Sequence, residues 1–275
     1  MAVLEAAAAV AAAPAADFKK RVKKEKKGVS NMLSRMPKKP AEIFSEIAND
    51  FKKIFGSDLL SIILYGSGAT QDYIPGRSDI NFLVVLSEKG IEKLQQVPDT
   101  VHRWKKRNVA TPLFITKSFI AGSLDSYPIE FLNMKRNHAL VFGEDVFSAL
   151  SFDAPHIRLQ LERELKGKIL NLQTRFIETE GKAKRVKELI RVSIVAFVSL
   201  FYALLHLKGL EIPQGKRDVI KLAAETCAID GEVFLTCLDI KEGINHVSSS
   251  DIQAVFNAYL KEIYKLNHFV DGMKI

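Results

Sequence analysis

Residues 64–86 read LYGSGATQDYIPGRSDINFLVVL, and this stretch holds the residues best spaced for chemistry. Asp79 and Asn81 alternate with apolar neighbours along what reads as a strand. Successive strand residues point to opposite faces, so Asp79 and Asn81 leave one face while Ile80, Phe82 and Val84 enter a core. Two oxygen-bearing side chains at a strand start can hold a hard cation such as Mg²⁺. Upstream, an apolar run ends in Gly66-Ser67, where a glycine lets backbone N–H groups approach phosphate oxygens. Each residue also has a plain structural role open to it. Gly66-Ser67 could be a strand-ending turn, Asp79 a turn cap, and Asn81 a side chain bonded to local backbone.

The combination of an apolar strand, Gly-Ser, an irregular stretch and Asp-x-(acid) on the next strand resembles the minimal nucleotidyltransferases of the DNA polymerase β superfamily. The segment HALVFGEDVF (residues 138–147) looks like the lead out of the catalytic domain in bacterial members. A helical second domain, as in aminoglycoside nucleotidyltransferases, is also typical. The resemblance covers about residues 41–150 well and the rest only by its helical character. It implies an α/β (α+β) nucleotidyltransferase fold with a mixed sheet, followed by an all-α helical bundle. It also implies a third carboxylate on a later strand, for which Glu130 in YPIEFLNM is the candidate, with a solvent-facing edge position as the alternative.

The implied activity is transfer of a nucleoside monophosphate, AMP from ATP in the first instance, to a hydroxyl with release of pyrophosphate. Two Mg²⁺ ions would lie between Asp79, Asn81, Glu130 and the nucleoside triphosphate. Gly66 and Ser67 would cradle the β- and γ-phosphates. Glu130 would ligate a metal or serve as general base. Two residues depart from the family pattern. Asn81 replaces an acid, so the site loses a negative charge. Ala69, Thr70 and Gln71 stand where many members have Ala-Arg-Gly, which leaves Arg77 as the nearby cation, although a solvated turn arginine is equally ordinary.

The elements that must position these residues follow from periodicity. Pro40 suits a helix start, and Ile43, Phe44, Ile47, Phe51, Ile54 and Phe55 recur at helical spacing up to Gly56. Leu59–Tyr65 and Ile80–Leu86 read as buried strands. Ile91–Arg107 reads as a helix with a basic end, Pro112–Ile120 as a third strand and Ile129–Met134 as a fourth. Beyond Ser151–Pro155 the pattern is helical over residues 156–179, 184–207, 216–228, 232–241 and 251–269, which suits a bundle. The expected organisation is a basic tail over 1–40, a catalytic domain over 41–150 and a helical domain over 151–275.

Charge supports the same division. The chain of 275 residues carries +8, from 40 Lys and Arg against 32 Asp and Glu. Residues 1–40 hold ten of the bases and three of the acids, so they carry +7 and the rest only +1. A basic patch across the fold is therefore not implied. The tail could bind a polyanion non-specifically, but no aromatics interleave its lysines to stack on bases.

His102–Arg107, and Lys182, Lys184, Arg185 and Lys187, read first as solvated helix ends, with contact to a triphosphate or nucleic acid as the sharper alternative. Cys227 and Cys237 form no metal or disulfide framework. The apolar run Leu189–Leu207 contains Arg191, Ser193, Ser199 and His206 and reads as a buried helix rather than a membrane span. The expectation is a soluble, cytoplasmic protein, with that helix able to serve a homodimer as easily as a core. The acceptor hydroxyl, on a small molecule, protein or RNA, is not named by the sequence. Two rival readings stay open: a catalytically weakened or inactive nucleotide-binding or interaction protein on the same fold, and a nucleic-acid-associated protein acting through the tail.

Overall fold

The computed structural model describes residues 36–244 and 247–274. Two compact units divide them. One takes the chain up to Ser123 and again Met134–Ser151; the other takes Leu124–Asn133 and Phe152 onward. The expected tail falls outside the described residues up to residue 35. Pro37 and Pro40 are buried, and the Tyr73 hydroxyl donates to Pro37 O at 3.0 Å.

The first unit is built on a mixed four-stranded sheet. Helix α1 (Phe44–Phe55) buries Ile47, Phe51 and Phe55, one face at four-residue spacing, and ends at Gly56, whose φ of 58° most side chains avoid. β1 (Leu59–Tyr65) pairs antiparallel with β2 (Asn81–Leu86). Ile62, Leu64, Ile80, Phe82, Val84 and Leu86 share a core with the α1 side chains. The alternation expected for Ile80, Phe82 and Val84 is thus present.

The region expected as one helix over 91–107 contains α2 (Glu88–Ile91) and α3 (Pro98–Lys105). Pro98 cannot continue a helix from its N-terminal side but suits a first turn. The third strand is shorter than expected. β3 (Leu113–Thr116) runs parallel to β2, and α4 (Lys117–Ala121) begins at once because Thr116 Oγ1 accepts from Phe119 N at 3.1 Å.

The expected strand Ile129–Met134 is a helix, α5 (Pro128–Arg136). Pro128 opens it, and the amide of Ile129, an orphan donor of the first turn, is satisfied by Gln160 Oε1 at 2.9 Å. The fourth strand is the next segment, β4 (His138–Gly143), antiparallel to β1. The sheet order is β3-β2-β1-β4.

The second unit is helical: α6 (Ala154–Glu178), α7 (Ala183–Leu207), α8 (Lys216–Cys227), α9 (Gly231–Glu242) and α10 (Ile252–Asp271). The α/β class with a following helical bundle is therefore the observed architecture, with ten α-helices among the described residues. α7 is long and apolar enough to cross a membrane by length and composition, and 56% of its apolar window is buried inside the protein. Phe197 and Phe201 on it pack edge-on against Tyr259 and Phe234, with ring centres 5.6 and 5.2 Å apart. It serves as the core helix of its unit.

Candidate functional site

The antiparallel turn from β1 to β2 brings Gly66-Ser67 and Asp79-Asn81 to one end of the sheet. Tyr65 pairs with Asn81. Gly66 follows at φ 74°, and a Cβ built on it would lie 3.8 Å from Asn81 Nδ2. The Gly66 amide donates to Asn137 O at 3.1 Å, so this N–H is already committed to backbone. Ser67 opens a short 3₁₀ turn, closed by Thr70 N donating to Ser67 O at 3.2 Å. Its hydroxyl has no partner among the described residues.

Asp79 is half-buried and its carboxylate has no hydrogen-bond or ion-pair partner among the described residues. Burial alone raises its carboxyl above the ordinary value of 3.8. Such a group gains most from an arriving cation. Asn81 Nδ2 approaches Asp79 O at 3.5 Å, the outer limit for a hydrogen bond. Its local structural role is weak, and the amide oxygen can turn to a ligand. Arg77 is exposed in the turn 74–78 and forms no ion pair among the described residues.

What holds Asp79 in place was not evident from the sequence. Asn108 sits in the left-handed region at φ 65°, which asparagine tolerates better than most residues. Its Nδ2 donates to Ser78 O at 2.7 Å, and its carbonyl accepts from Ile80 N at 3.0 Å. Ile80 O in turn accepts from Ala110 N at 3.0 Å. The residues on both sides of Asp79 are thus tied to 108–110.

The chain reaches Asn108 from α3, whose Trp104 indole donates to Asp50 on α1 at 3.1 Å. Arg103 pairs with the same Asp50, and Arg107 with Glu46 while lying over the Trp104 ring. These members of the basic cluster His102–Arg107 are engaged within the fold. Lys182 and Arg185 at the start of α7 likewise pair with Glu180.

His138 also joins this end of the sheet. Tyr65 pairs with Asn81 on one side and His138 on the other, so the three stand in a row across β2, β1 and β4. His138 Nδ1 lies 2.9 Å from Lys135 O and Nε2 3.3 Å from Asp145 Oδ2, which fixes the ring.

Glu130 belongs to the other unit and lies in the first turn of α5, not on a strand. Gln160, 3% exposed, donates to Glu130 Oε2 at 2.6 Å. Burial raises the Glu130 carboxyl above its ordinary 4.5; the bond from Gln160 and the residue's own backbone amide oppose that shift.

β3, which lies parallel beside β2, carries no acid. Among the described residues no group of three or more His, Cys, Asp or Glu gathers where it could hold a metal ion. One carboxylate with one amide oxygen suits a single Mg²⁺ that also keeps phosphate and water ligands, since this ion is commonly held by one or two carboxylates plus substrate phosphates. The same pair is too few for two ions held by protein alone.

No protein-family model and no curated protein matches the chain. The crystal structure of spectinomycin adenyltransferase AAD(9) from Enterococcus faecialis with ATP and spectinomycin is similar over 82% of this chain and 99% of that chain, at 18% identity and a TM-score of 0.44.

Proposed function

We propose that this protein binds a nucleoside triphosphate, ATP in the first instance, together with Mg²⁺ at the joined ends of β1 and β2. The observation that carries the reading is the half-buried carboxylate of Asp79, without a partner among the described residues, beside a Gly-Ser turn whose serine hydroxyl is also without one. Asp79 and the Asn81 amide oxygen would ligate the cation. Ser67 would donate to phosphate oxygens, with Gly66 giving the backbone its close approach. Arg77 would add charge where the loop lacks the family's arginine. Bound with the triphosphate, Mg²⁺ neutralises phosphate charge and makes the α-phosphorus more electrophilic. A cytoplasmic setting goes with this reading.

A second reading adds transfer of the nucleoside monophosphate to an acceptor hydroxyl. The hydroxyl oxygen would bond to the α-phosphorus, the bond to pyrophosphate would break, and the hydroxyl proton would pass to a base. Glu130, which the family resemblance nominates for that task, belongs to the helical unit, and the labelling test below decides its part. The acceptor would be a small molecule, a protein or an RNA. The absence of an acid on β3 and the amide at Asn81 weigh towards binding with weak or no turnover.

Titration with ATP in the presence of Mg²⁺ and again in EDTA tests the first reading. Affinity should rise with Mg²⁺, and Asp79→Asn should remove that rise; an unchanged Mg²⁺ response in the variant would refute it. For the second reading, α-labelled ATP, GTP, CTP and UTP are incubated with cell extract as acceptor. Label transferred by the wild type and lost in both Asp79→Asn and Glu130→Gln supports transfer. Mg²⁺-dependent binding without label on any acceptor rejects it.

A further inference from the structure

We propose that Asn108 is the positioning residue that makes Asp79 effective towards a Mg²⁺-bearing nucleotide; this rests on the nucleotide reading above. No bond to its own side chain holds Asp79: its carboxylate has no partner among the described residues, so its direction is set by the backbone that carries it. That backbone belongs to the first residues after an irregular loop, where Tyr65–Asn81 is the last pairing to β1.

Asn108 closes the gap with two bonds from one residue. Its side-chain amide holds the carbonyl of Ser78 at 2.7 Å and its own carbonyl holds the amide of Ile80 at 3.0 Å. Asp79 is therefore bracketed on both sides by a single residue 29 positions away. Asn108 is itself fixed, because its amide donates to Lys105 O at 3.2 Å and the next amide, of Val109, donates to Trp104 O at 3.3 Å. At a left-handed φ of 65°, the side chain and the carbonyl reach points two residues apart on the segment that leads into β2. Asparagine combines tolerance of that conformation with a side-chain donor; glycine has only the first, and aspartate lacks the donor.

A group that hydrogen-bonds a metal-ligating side chain typically changes metal affinity by about 10- to 100-fold when removed; Asn108 holds the backbone on either side of Asp79 instead, so the effect expected is at the low end of that range. The separating variants are therefore Asn108→Gly, which keeps the backbone conformation and deletes the amide, and Asn108→Asp, which keeps size and turns an acceptor towards Ser78 O. ATP affinity is measured for each with Mg²⁺ and with EDTA, beside Asp79→Asn and the wild type, and thermal unfolding is recorded for all four.

Both Asn108 variants should lose about tenfold in the Mg²⁺-dependent gain in affinity, while affinity in EDTA stays at the wild-type level. A merely structural role would lower the melting temperature and leave the Mg²⁺-dependent gain intact. If Asp79→Asn removes the gain and both Asn108 variants keep it, the nucleotide reading stands and the role of Asn108 is overturned. If Asp79→Asn itself keeps the gain, the nucleotide reading falls and the proposal falls with it.

Discussion

Two glycines of similar conformation should respond very differently to the same added methyl group. Gly66 has φ 74° and Gly143 has φ 81°. At Gly66 the nearest atom to a new Cβ would be Asn81 Nδ2 at 3.8 Å, an ordinary contact. Gly66→Ala therefore carries only the left-handed penalty, about 1–2 kcal/mol, reduced by several tenths because alanine narrows the unfolded ensemble. At Gly143 the new Cβ would lie 1.9 Å from Leu60 O and 3.0 Å from Ser61 Cα. Both are backbone atoms, so β1 and β4 must part where Ser61 pairs with Gly143.

Ser61 is fully buried, and its hydroxyl bonds to Phe142 O at 3.1 Å and Glu144 O at 2.7 Å. Parting the strands strands that hydroxyl without a partner, a further cost of about 1–3 kcal/mol. Gly143→Ala should lose about 2–4 kcal/mol in all, against about 1 kcal/mol for Gly66→Ala. The chain has a single tryptophan, and Trp104 is buried in the same unit as both glycines, so its fluorescence in urea reports unfolding of that unit. Equal losses for the two variants would refute the steric argument, and with it the β1–β4 register.

The ion pair at Asp58 gives a pH test. Hydrogen bonds from Lys93 and Ser87 lower its carboxyl below the ordinary 3.8. A depressed folded-state pKa contributes stability above the unfolded value, and that stability is lost as pH falls through the folded one. Wild type should therefore exceed Asp58→Asn in urea resistance at pH 7, with the gap closing below pH 3.8; a gap that persists in strong acid would contradict the pairing. The two thiols should be inert in the native state. Burial pushes Cys227 up to about 12 and Cys237 higher still, so Ellman's reagent at pH 8 should label neither until the protein is unfolded.

The parts of the fold that were legible in the sequence are those set by local periodicity. The α1 face, the β1 and β2 runs and the helices of the second unit each repeat an apolar pattern within one element. Ile129–Met134 reads as a strand and folds as a helix because a short apolar run does not distinguish the two. The deciding partner, Gln160, lies 31 residues further along and supplies the missing acceptor for the helix start. β4 does not stand out in the sequence for a related reason: His138–Gly143 is poor in β-branched types, and pairing with β1 makes it a strand. At the site, the shared face of Asp79 and Asn81 could be read from alternation. The hold of Asn108 could not, because its partners are remote in sequence and its conformation is set by the end of α3.

The site and the charge of the chain make different demands. The basic excess lies in residues 1–40, whereas the sheet end has one under-neutralised acid, one amide and an arginine in an exposed turn. A single carboxylate gives Mg²⁺ little reason to bind alone. On the proposed reading the ion would gain a full shell only with the triphosphate, so metal and nucleotide affinity would be coupled. Transfer demands more, because the acceptor hydroxyl must also lose a proton and β3 supplies no acid beside Asp79 to help. Binding and turnover are thereby separable properties of this architecture. On the proposed reading, the first would depend on how firmly Asp79 is held, and the second on whether a further group can serve as base.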